Sequence, residues 1–515
     1  MTNTPSSLTV LGLSKSGCAV ARHASQYKKE CTVFLSEMLP GSDANRSQRD
    51  ALTELGVQVE MGGHSQQCFH HSNDVVVSPG IPPTSAMVKQ LVLSDKNVMS
   101  EVEYAWRESQ ALADSQANPQ PRWIGVTGTN GKTTTVTGIE AILNATSTPA
   151  IACGNIGLPV TDCLTAHSKT PWWVVELSSF QLHFSPTLVP EIAVFLNLTP
   201  DHINWHGSFE AYKAAKLSLY LPKNNGKAPV WLVLNSDDPV SGEIDQHASP
   251  ESKRVWFSKT GRYPSGAKYA VFLNAEGDEG DVNVLWDGEL NSQPLFNVKE
   301  ALLKGAHNHE NVLAMVAAAY CAGAAPDVIQ SVCKTFTGVQ HRLEPVALPA
   351  ESPPVLVVND SKATNVNSTL AAIDAYSEHP MVLLMGGRLK NEPFEPLMSY
   401  IQQNVNGVVL YGESRSVLAE MLKKSGYEKN VLQVELLPEA AEAAFELTQT
   451  LIPEDVNHSS EKSVPEKPVL LFSPAAASFD QYRDFEARGS AFKETIDSLS
   501  MSLYHSSHHQ PEVTA

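Results

Sequence analysis

Short apolar runs alternate with glycine turns and helical patterns along most of the chain, which is typical of α/β folds. In the first segment, residues 8–13 form a strand pattern, residues 14–17 a turn, and a helical pattern follows. Further strand patterns lie at residues 32–35 and 74–78. This alternation predicts a small doubly wound sheet near the N-terminus.

The middle of the chain contains near-continuous apolar runs at residues 123–127, 172–177 and 192–198, as in a buried parallel sheet. Residues 259–293 alternate only weakly and are rich in Gly, Asp and Glu, which predicts an exposed β-excursion. The acidic run at 276–281 could bind calcium. It does not have the spacing of a calcium loop, and we interpret it as solvated.

A third segment has strand patterns at residues 355–359, 382–385, 408–411 and 469–472, with helical patterns between them. Residues 457–468 form a charged loop that contains proline. After residue 502 the tail is rich in His and Ser. Its histidines (His505, His508 and His509) could bind a metal, but a disordered end is the expectation.

The domain organisation follows from length and from one polar stretch. A chain of 515 residues is too long for one core, and residues 109–121 have the Gln/Ala/Ser-rich composition of a linker. We therefore predict three consecutive α/β domains: a Rossmann-like domain at 1–118, a central domain like a P-loop ATPase at 119–339, and a Rossmann-like C-terminal domain at 340–515.

Composition excludes several classes of function. The net charge of -19 argues against a nucleic-acid or anionic-membrane surface. No run approaches about eighteen apolar residues, and the first seven residues carry no basic side chain, so we expect neither a membrane span nor a signal peptide. The 7 cysteines form no CxxC pair, which predicts free thiols in a reducing, cytoplasmic compartment.

The strongest chemical signal is the segment 126–134, VTGTNGKTT, at the junction of a strand and a helix. Its glycines allow backbone N–H groups to surround phosphate oxygens, and the helix N-terminus favours the negative charge. Lys132 would reach the β/γ-phosphates, and the Thr133 hydroxyl would bind magnesium. The pattern departs from GxxxxGK[ST] because Val126 occupies the first glycine position. It nevertheless predicts nucleotide binding by Gly128, Thr129, Asn130, Gly131, Lys132, Thr133 and Thr134.

Other candidates are weaker when each is taken alone. Glu176 ends an apolar strand, where it is either a magnesium ligand or an exposed acid. His202 is either a metal ligand or a loop histidine. By spacing, Lys216 is only a lysine of an amphipathic helix. The turn Gly12–Gly17 lacks the middle glycine of a dinucleotide fingerprint and suits any phosphate-bearing ligand.

Together these motifs resemble the Mur ligase family, over residues 8 to 493. The blocks that carry the resemblance are residues 128–134, 176–182, 199–202, 304–308 with Asn311, 341–342, 359–365 (NDSKATN) and 473–480 (SPAAASFD). The first five are shared across the superfamily, which includes folylpolyglutamate synthases. The 359–365 and 473–480 blocks resemble the member that adds D-glutamate. The regions 259–293 and 457–468 depart from the family pattern in length.

The resemblance implies ATP-dependent addition of D-glutamate to UDP-N-acetylmuramoyl-L-alanine in peptidoglycan precursor synthesis, through an acyl phosphate. It implies Mg²⁺ at two sites, with Thr133, Glu176, His202 and a carbamylated Lys216 as ligands. Lys132 is then a catalytic contact to the ATP phosphates. Further implied contacts are Asn308, Asn311, Arg342 and Asp360 to ATP; Lys362, Thr364, Ser478 and Phe485 to D-glutamate; and Ser14, Ser36, Asn155 and Gln181 to the UDP-sugar. We expect the protein to be a monomer whose partners are these small molecules.

Three rival functions remain at this stage. Another ligase of the superfamily would share the ATP-binding centre but differ in the third domain, and the blocks around Lys362 and Ser478 speak against it. Without the resemblance, Lys362 could be an exposed loop lysine and Ser478 a helix N-cap. An oxidoreductase would rest on the turn Gly12–Gly17 alone. A nucleotide-dependent scaffold would bind ATP without releasing phosphate, and the presence of Glu176, His202 and Lys216 speaks against it.

Overall fold

A computed structural model describes residues 7–28, 31–38, 43–65, 67–114, 120–223, 226–274, 280–303, 306–349, 353–389, 392–452 and 467–508. The chain divides into two compact units. The first comprises Met1–Leu302 and Asn308–Phe336, and the second comprises Leu303–His307 and Thr337–Ala515. The described residues form three sheets, of which two belong to the first unit and one to the second.

The first sheet is parallel, and its strand order is β3-β2-β1-β4-β5. This confirms the predicted doubly wound arrangement. The short outer strands β3 and β5 were not predicted, since their sequences contain no apolar run. The elements are β1 (Ser7–Leu11), α1 (Lys15–Tyr27), β2 (Thr32–Glu37), α2 (Asp43–Glu54), β3 (Gln58–Met61), α3 (Gln67–His70), β4 (Asp74–Val77), α4 (Ala86–Leu93), β5 (Asn97–Met99) and α5 (Glu101–Asp114).

The glycine turn after β1 is required by close packing. Gly12 has φ +100, and a Cβ at this position would lie 2.5 Å from Ser78 Oγ. Ser14 then caps α1, because its Oγ accepts the N–H of Gly17 at 3.2 Å. The predicted turn is therefore a helix N-terminus at the carboxyl end of the central strand.

The second sheet follows the order β14-β13-β12-β11-β10-β9-β6-β8-β7, with β15 paired to β13. The predicted strands β6, β8 and β9 are confirmed at its centre. The elements are β6 (Arg122–Thr127), α6 (Lys132–Asn144), β7 (Ala150–Gly154), α7 (Val160–Ala166), β8 (Trp172–Glu176), α8 (Ser179–His183), β9 (Ile192–Phe195), α9 (Ile203–His206), α10 (Phe209–Leu217), β10 (Trp231–Asn235), α11 (Val240–His247), β11 (Lys253–Ser258), β12 (Ala270–Leu273), β13 (Asp281–Trp286), β14 (Glu289–Leu290), β15 (Phe296–Asn297), α12 (Ala306–Cys321) and α13 (Pro326–Thr335).

The prediction for residues 259–293 is confirmed in its β-structure and wrong in the exposure of strands β12 and β13. Strand β12 pairs with β11, and β13 pairs with β12, so both extend the main sheet. Val271, Val282 and Val284 are fully buried. Alternation in β13 places one side-chain face on the core, although the segment is polar overall. Most of the acidic run, residues 276–279, lies outside the described residues.

The third sheet has the order β16-β17-β21-β18-β19-β20, and only β16 is antiparallel to its neighbour. Alternate residues of β18 face different cores, which explains its continuous apolar run: Leu383 packs in one and Leu384 in the other. The elements are β16 (Glu344–Val346), β17 (Leu356–Asn359), α14 (Val366–Ala375), β18 (Met381–Gly386), α15 (Glu395–Asn404), β19 (Gly407–Tyr411), α16 (Arg415–Lys424), β20 (Asn430–Gln433), α17 (Leu437–Gln449), β21 (Val469–Phe472) and α18 (Phe485–His508).

Two further predictions, the linker at residues 109–121 and the disordered C-terminal end, are partly wrong because helices extend into both segments. The helix α5 runs to Asp114, so the first part of the predicted linker is helical; Ser109 is buried there, and its Oγ donates to Trp106 O at 2.7 Å. The helix α18 continues to His508, where a disordered end was expected. Residues 115–119, most of the loop 457–468, and the tail from 509 lie outside the described residues.

Two predictions from composition can be compared with the described part of the chain. It contains no helix long and apolar enough to cross a membrane. Its cysteines Cys18, Cys31, Cys153, Cys163, Cys321 and Cys333 are free thiols, as predicted.

Candidate active site

The phosphate loop lies where β6 ends and α6 begins. Gly131, the N-cap of α6, has φ +82, and a Cβ there would lie 2.1 Å from Asn311 Oδ1. At Gly128 a Cβ would lie 2.9 Å from Leu196 Cβ. Both positions therefore need glycine, because neighbouring atoms approach the backbone closely. The first N–H groups of a helix have no intrahelical acceptor, so this loop is suited to phosphate oxygens.

Glu176 lies next to the phosphate loop at the end of the neighbouring strand β8, and its side chain is buried. Its carboxylate accepts the Thr133 hydroxyl at 2.7 Å and the Asn155 amide at 2.8 Å. Magnesium prefers hard oxygen ligands and takes one or two from protein beside water and phosphate. The pair Thr133 and Glu176 fits that donor set. Within the described ranges, no group of three or more His, Cys, Asp or Glu side chains could hold a metal ion.

Two lysines converge on the same carbonyl of the loop. Lys132 Nζ donates to Gly128 O at 3.0 Å and to Thr129 O at 2.7 Å. Lys216 Nζ donates to Gly128 O at 2.7 Å and lies 5.0 Å from the centre of the Tyr212 ring. Burial, and to a smaller extent the nearby charge of Lys132, lowers the pKa of Lys216 well below its usual value. The Lys216 amine is therefore buried, and burial destabilises its charged form.

His202 lies at the edge of this group. Its backbone has φ +53, its side chain is 47% exposed, and its Nε2 is 3.4 Å from Asp201 Oδ2. The His202 ring is 4.7 Å from that of Phe180 and 6.3 Å from that of Tyr212. The Tyr212 ring thus neighbours both predicted metal-site residues, His202 and Lys216.

The structure adds residues that the sequence reasoning missed. The Tyr212 hydroxyl is 2.8 Å from Thr129 Oγ1, and Asn197 Oδ1 accepts the N–H of Asn130 at 2.9 Å. The spacing of Tyr212 and Lys216, one helical turn apart, could have indicated Tyr212. His206 Nε2 is 3.0 Å from Ser179 Oγ, and burial lowers the pKa of His206 to about 4. No pattern in the sequence distinguishes His206.

The two predicted asparagines lie together on α12. Asn311 Nδ2 donates to Asn308 Oδ1 at 3.0 Å, and both side chains are buried. Asn311 also abuts the phosphate loop at Gly131. The first two residues of this motif, 304–305, lie outside the described part of the chain.

The predicted UDP-sugar residues divide between the first two sheets. Ser14 Oγ is 2.7 Å from Ser78 Oγ, and Ser36 Oγ donates to Glu60 Oε2 at 2.8 Å. Asn155 contacts Glu176, whereas Gln181 forms a capping box with Ser178 at the start of α8. The two groups are neighbours, since Lys15 Nζ donates to Gly157 O at 2.5 Å.

The second unit holds the remaining predicted residues. Asp360 is buried, accepts from Ser473 Oγ at 2.9 Å and from Leu343 N–H at 3.2 Å, and burial raises its pKa to about 7. The Arg342 charge opposes that rise. Lys362 Nζ lies 5.4 Å from the centre of the Phe485 ring.

The other three residues predicted to contact D-glutamate also lie in the second unit. Ser478 is buried, Thr364 is half-buried, and Phe485 begins α18. Ser478 O accepts the N–H of Tyr482 at 2.8 Å within a turn before the helix. Ser478 is therefore not the N-cap of α18.

Comparison with known proteins identifies the family. Profiles of the Mur ligase MurD-like N-terminal domain, the Mur ligase middle domain, and the Mur ligase glutamate ligase domain match residues 6–100, 126–319 and 341–456. The UDP-N-acetylmuramoylalanine–D-glutamate ligase of Geobacillus kaustophilus is 36% identical over 491 residues, covering 95% of this chain and 97% of that protein. The ligase of the same name from Acidobacterium capsulatum is 34% identical, with 95% of each chain covered.

Solved structures agree at the level of the fold. The UDP-N-acetylmuramate–alanine ligase of Thermotoga maritima has a TM-score of 0.52 at 19% identity, covering 97% of this chain and 99% of that one. MurF of Acinetobacter baumannii has a TM-score of 0.54 at 17% identity, covering 95% and 93%. With the sequence matches spanning all three sheets, the chain belongs to the Mur ligase family.

Proposed function

We propose that this protein is the ligase that joins D-glutamate to UDP-N-acetylmuramoyl-L-alanine at the expense of ATP, in peptidoglycan precursor synthesis. The observation that carries the proposal is 36% identity to a ligase of that name over 95% of the chain. The phosphate loop beside Glu176 gives the same conclusion a chemical basis, because activating a carboxylate with ATP needs such a site.

In the first step, the carboxylate of the L-alanyl group attacks the γ-phosphorus of ATP, giving an acyl phosphate and ADP. Lys132 and the backbone N–H groups at the start of α6 orient the phosphates and offset their charge. Mg²⁺ held by Thr133 and Glu176 would supply further charge neutralisation. The buried Glu176 carboxylate is already fixed by Thr133 and Asn155, so little reorganisation accompanies the reaction.

We propose that Lys216 is carbamylated and, with His202, holds a second Mg²⁺. A neutral amine attacks the carbon of CO₂ and loses a proton, forming a carbamate whose single negative charge is shared by two oxygens. The lowered pKa of Lys216 and its position at the loop support this. Asn308 and Asn311, which adjoin Gly131, are proposed contacts to the nucleotide.

In the second step, the amine of D-glutamate attacks the acyl carbonyl and phosphate leaves, which forms the amide. We propose that Lys362, Thr364, Ser478 and Phe485 surround D-glutamate, and that Arg342 and Asp360 contact ATP. The ammonium of Lys362, with the hydroxyls of Thr364 and Ser478, would satisfy a carboxylate that is costly to bury alone. Ser14, Ser36, Asn155 and Gln181 are proposed contacts to the UDP-sugar.

We further propose three domains with boundaries near 118 and 339, a monomeric protein, and a cytoplasmic location. The three sheets support the domains, and the free thiols of the described cysteines suit a reducing compartment.

The decisive experiment measures phosphate release from ATP. UDP-N-acetylmuramoyl-L-alanine and D-glutamate together should produce release and a new amide, whereas omission of either should abolish it. Lys132→Ala should be inactive, and Lys213→Ala, which changes a half-buried lysine paired with Glu243, should retain activity. Stimulation by another amino acid and not by D-glutamate would indicate a different ligase of the family. ATP binding without release would indicate a scaffold.

A further inference from the structure

The Phe180 ring, on α8, contacts two residues of the segment around α9. It stacks on the Trp205 ring, with the ring centroids 4.5 Å apart and the planes 29° from parallel. Its centroid is also 4.7 Å from that of the His202 ring. The position of the Phe180 ring therefore decides the surface against which the His202 ring packs.

Trp205 is anchored on the domain of the first sheet. Its indole Nε1–H donates to Pro79 O at 3.0 Å, and the ring packs against the apolar cluster that contains Val77 and Leu91. The indole has a single hydrogen-bond donor, and this bond satisfies it. Packing and the hydrogen bond together fix both the position and the rotation of the ring. Trp205 thus offers Phe180 a rigid surface.

His202 depends on such support from its surroundings. Its backbone has φ +53, a conformation that a residue with a Cβ keeps only where neighbouring structure holds it. The helix α9 that follows is one turn long, Ile203–His206, and a single turn is not stable by its own hydrogen bonds. Trp205 lies in this turn, and its backbone N–H donates to His202 O at 3.0 Å. Anchoring Trp205 therefore also anchors the turn that begins at His202.

We propose that Trp205 is a positioning residue for the ligase reaction: it fixes the Phe180 ring and the turn α9, and so holds the His202 ring in its place near Tyr212. This inference rests on the proposed function, in which His202 binds a metal ion next to the phosphate loop. A displacement of about 1 Å near a reacting centre can cost about a hundredfold in rate. Loss of the indole should therefore lower kcat more than it weakens ATP binding.

The test combines NMR of the full-length protein, carrying isotopically labelled histidine, with the kinetics of phosphate release. The His202 signal is assigned by its disappearance in His202→Gln. Trp205→Leu should shift this signal and remove the nuclear Overhauser contacts between His202 and Phe180. It should also lower kcat by about tenfold or more, with the KM for ATP changed by less than about twofold. Trp205→Phe keeps a ring that can stack on Phe180, and it should restore the His202 signal and most of the kcat.

Trp231→Leu is the matched control. Trp231 is also a half-buried tryptophan, and it stacks on the Trp286 ring with centroids 5.5 Å apart. It begins β10, which runs parallel to β9 and β6, so it lies at the opposite end of the sheet from the phosphate loop. Its replacement should leave the His202 signal and the kcat as in wild type.

An unchanged His202 signal or an unchanged kcat in Trp205→Leu would overturn the inference and leave the proposed function standing. Equal losses in Trp205→Phe and Trp205→Leu would also overturn it. Wild-type protein that releases no phosphate would contradict the proposed function, whereas the histidine signals would still report on Trp205. If Trp205→Leu does not fold, Phe180→Leu should produce the same two changes, because it removes the ring between Trp205 and His202.

Discussion

The Thr133 hydroxyl donates a 2.7 Å hydrogen bond to the Glu176 carboxylate, joining the first turn of α6 to the end of β8. The two residues are 43 positions apart in the sequence, and both are buried. Parallel pairing of β6 with β8 places Val126 opposite Glu176, and this register brings the acid to the phosphate loop. The sheet register therefore determines where a metal ion and ATP phosphates would be held.

Glu176→Gln should reduce ligase activity by at least about a hundredfold while the fold is retained. Glutamine has nearly the same shape and can still bond to Thr133 and Asn155, but it has no charge to attract Mg²⁺. Phosphate release at saturating substrates measures the loss, and thermal unfolding checks the fold. Activity within threefold of wild type, about 0.7 kcal/mol in the barrier, would exclude Glu176 as a metal ligand.

Lys216→Ala should be nearly inactive and should regain part of its activity with a small carboxylate such as acetate, which can supply the missing oxygens. Wild-type protein given isotopically labelled bicarbonate should show a carbamate signal by NMR that Lys216→Ala lacks. Lys213→Ala, about one turn earlier on α10, removes a half-buried lysine paired with Glu243 and should keep both the signal and the activity. A fully active wild-type protein without the carbamate would refute the modification.

Lys362→Ala should raise the KM for D-glutamate far more than that for ATP or the UDP-sugar. Removing one partner of a buried charged contact costs roughly 2–5 kcal/mol, or about thirtyfold and more in affinity. Lys423→Ala, at an exposed position of the same unit, serves as the control. Equal losses for all three substrates would mean that Lys362 does not recognise D-glutamate.

Glu101 should make stability depend on pH. Burial raises its pKa to about 7, although Thr161 donates to its Oε1 from both N–H and hydroxyl. Because the folded protein holds this proton more tightly than the unfolded chain, the contribution is complete below about pH 4.5 and is lost as pH rises through about 7.

In urea unfolding, the free energy of unfolding of wild type should therefore fall across that window, and Glu101→Gln should make this fall smaller. Asp360, whose pKa is also raised to about 7, contributes to both proteins, so their difference isolates Glu101. Glu54→Gln, a substitution at an exposed position, should leave the pH dependence of the free energy of unfolding as in wild type. Parallel profiles for wild type and Glu101→Gln would contradict the prediction.

The sequence by itself determined the central strands and the phosphate loop. The runs in β6, β8, β18 and β21 are nearly continuously apolar because both faces of their sheets are covered, so local composition alone predicts them. The segment from Gly128 to Thr134 needs its glycines and its Lys-Thr pair for backbone and phosphate chemistry. That requirement is local and therefore visible in the sequence.

Only the tertiary structure decided the rest. Strands β3 and β20 are each only half apolar, and each forms because a neighbouring strand pairs with it. Residues 270–286 extend the main sheet because β12 pairs with β11 and β13 pairs with β12, and the sequence did not show which strands would pair. By spacing, Lys216 is an ordinary lysine of an amphipathic helix. Packing of α10 against the phosphate loop buries its amine, and this loss of water lowers its pKa. Desolvation depends on atoms distant in the sequence, and the tertiary fold brings them together.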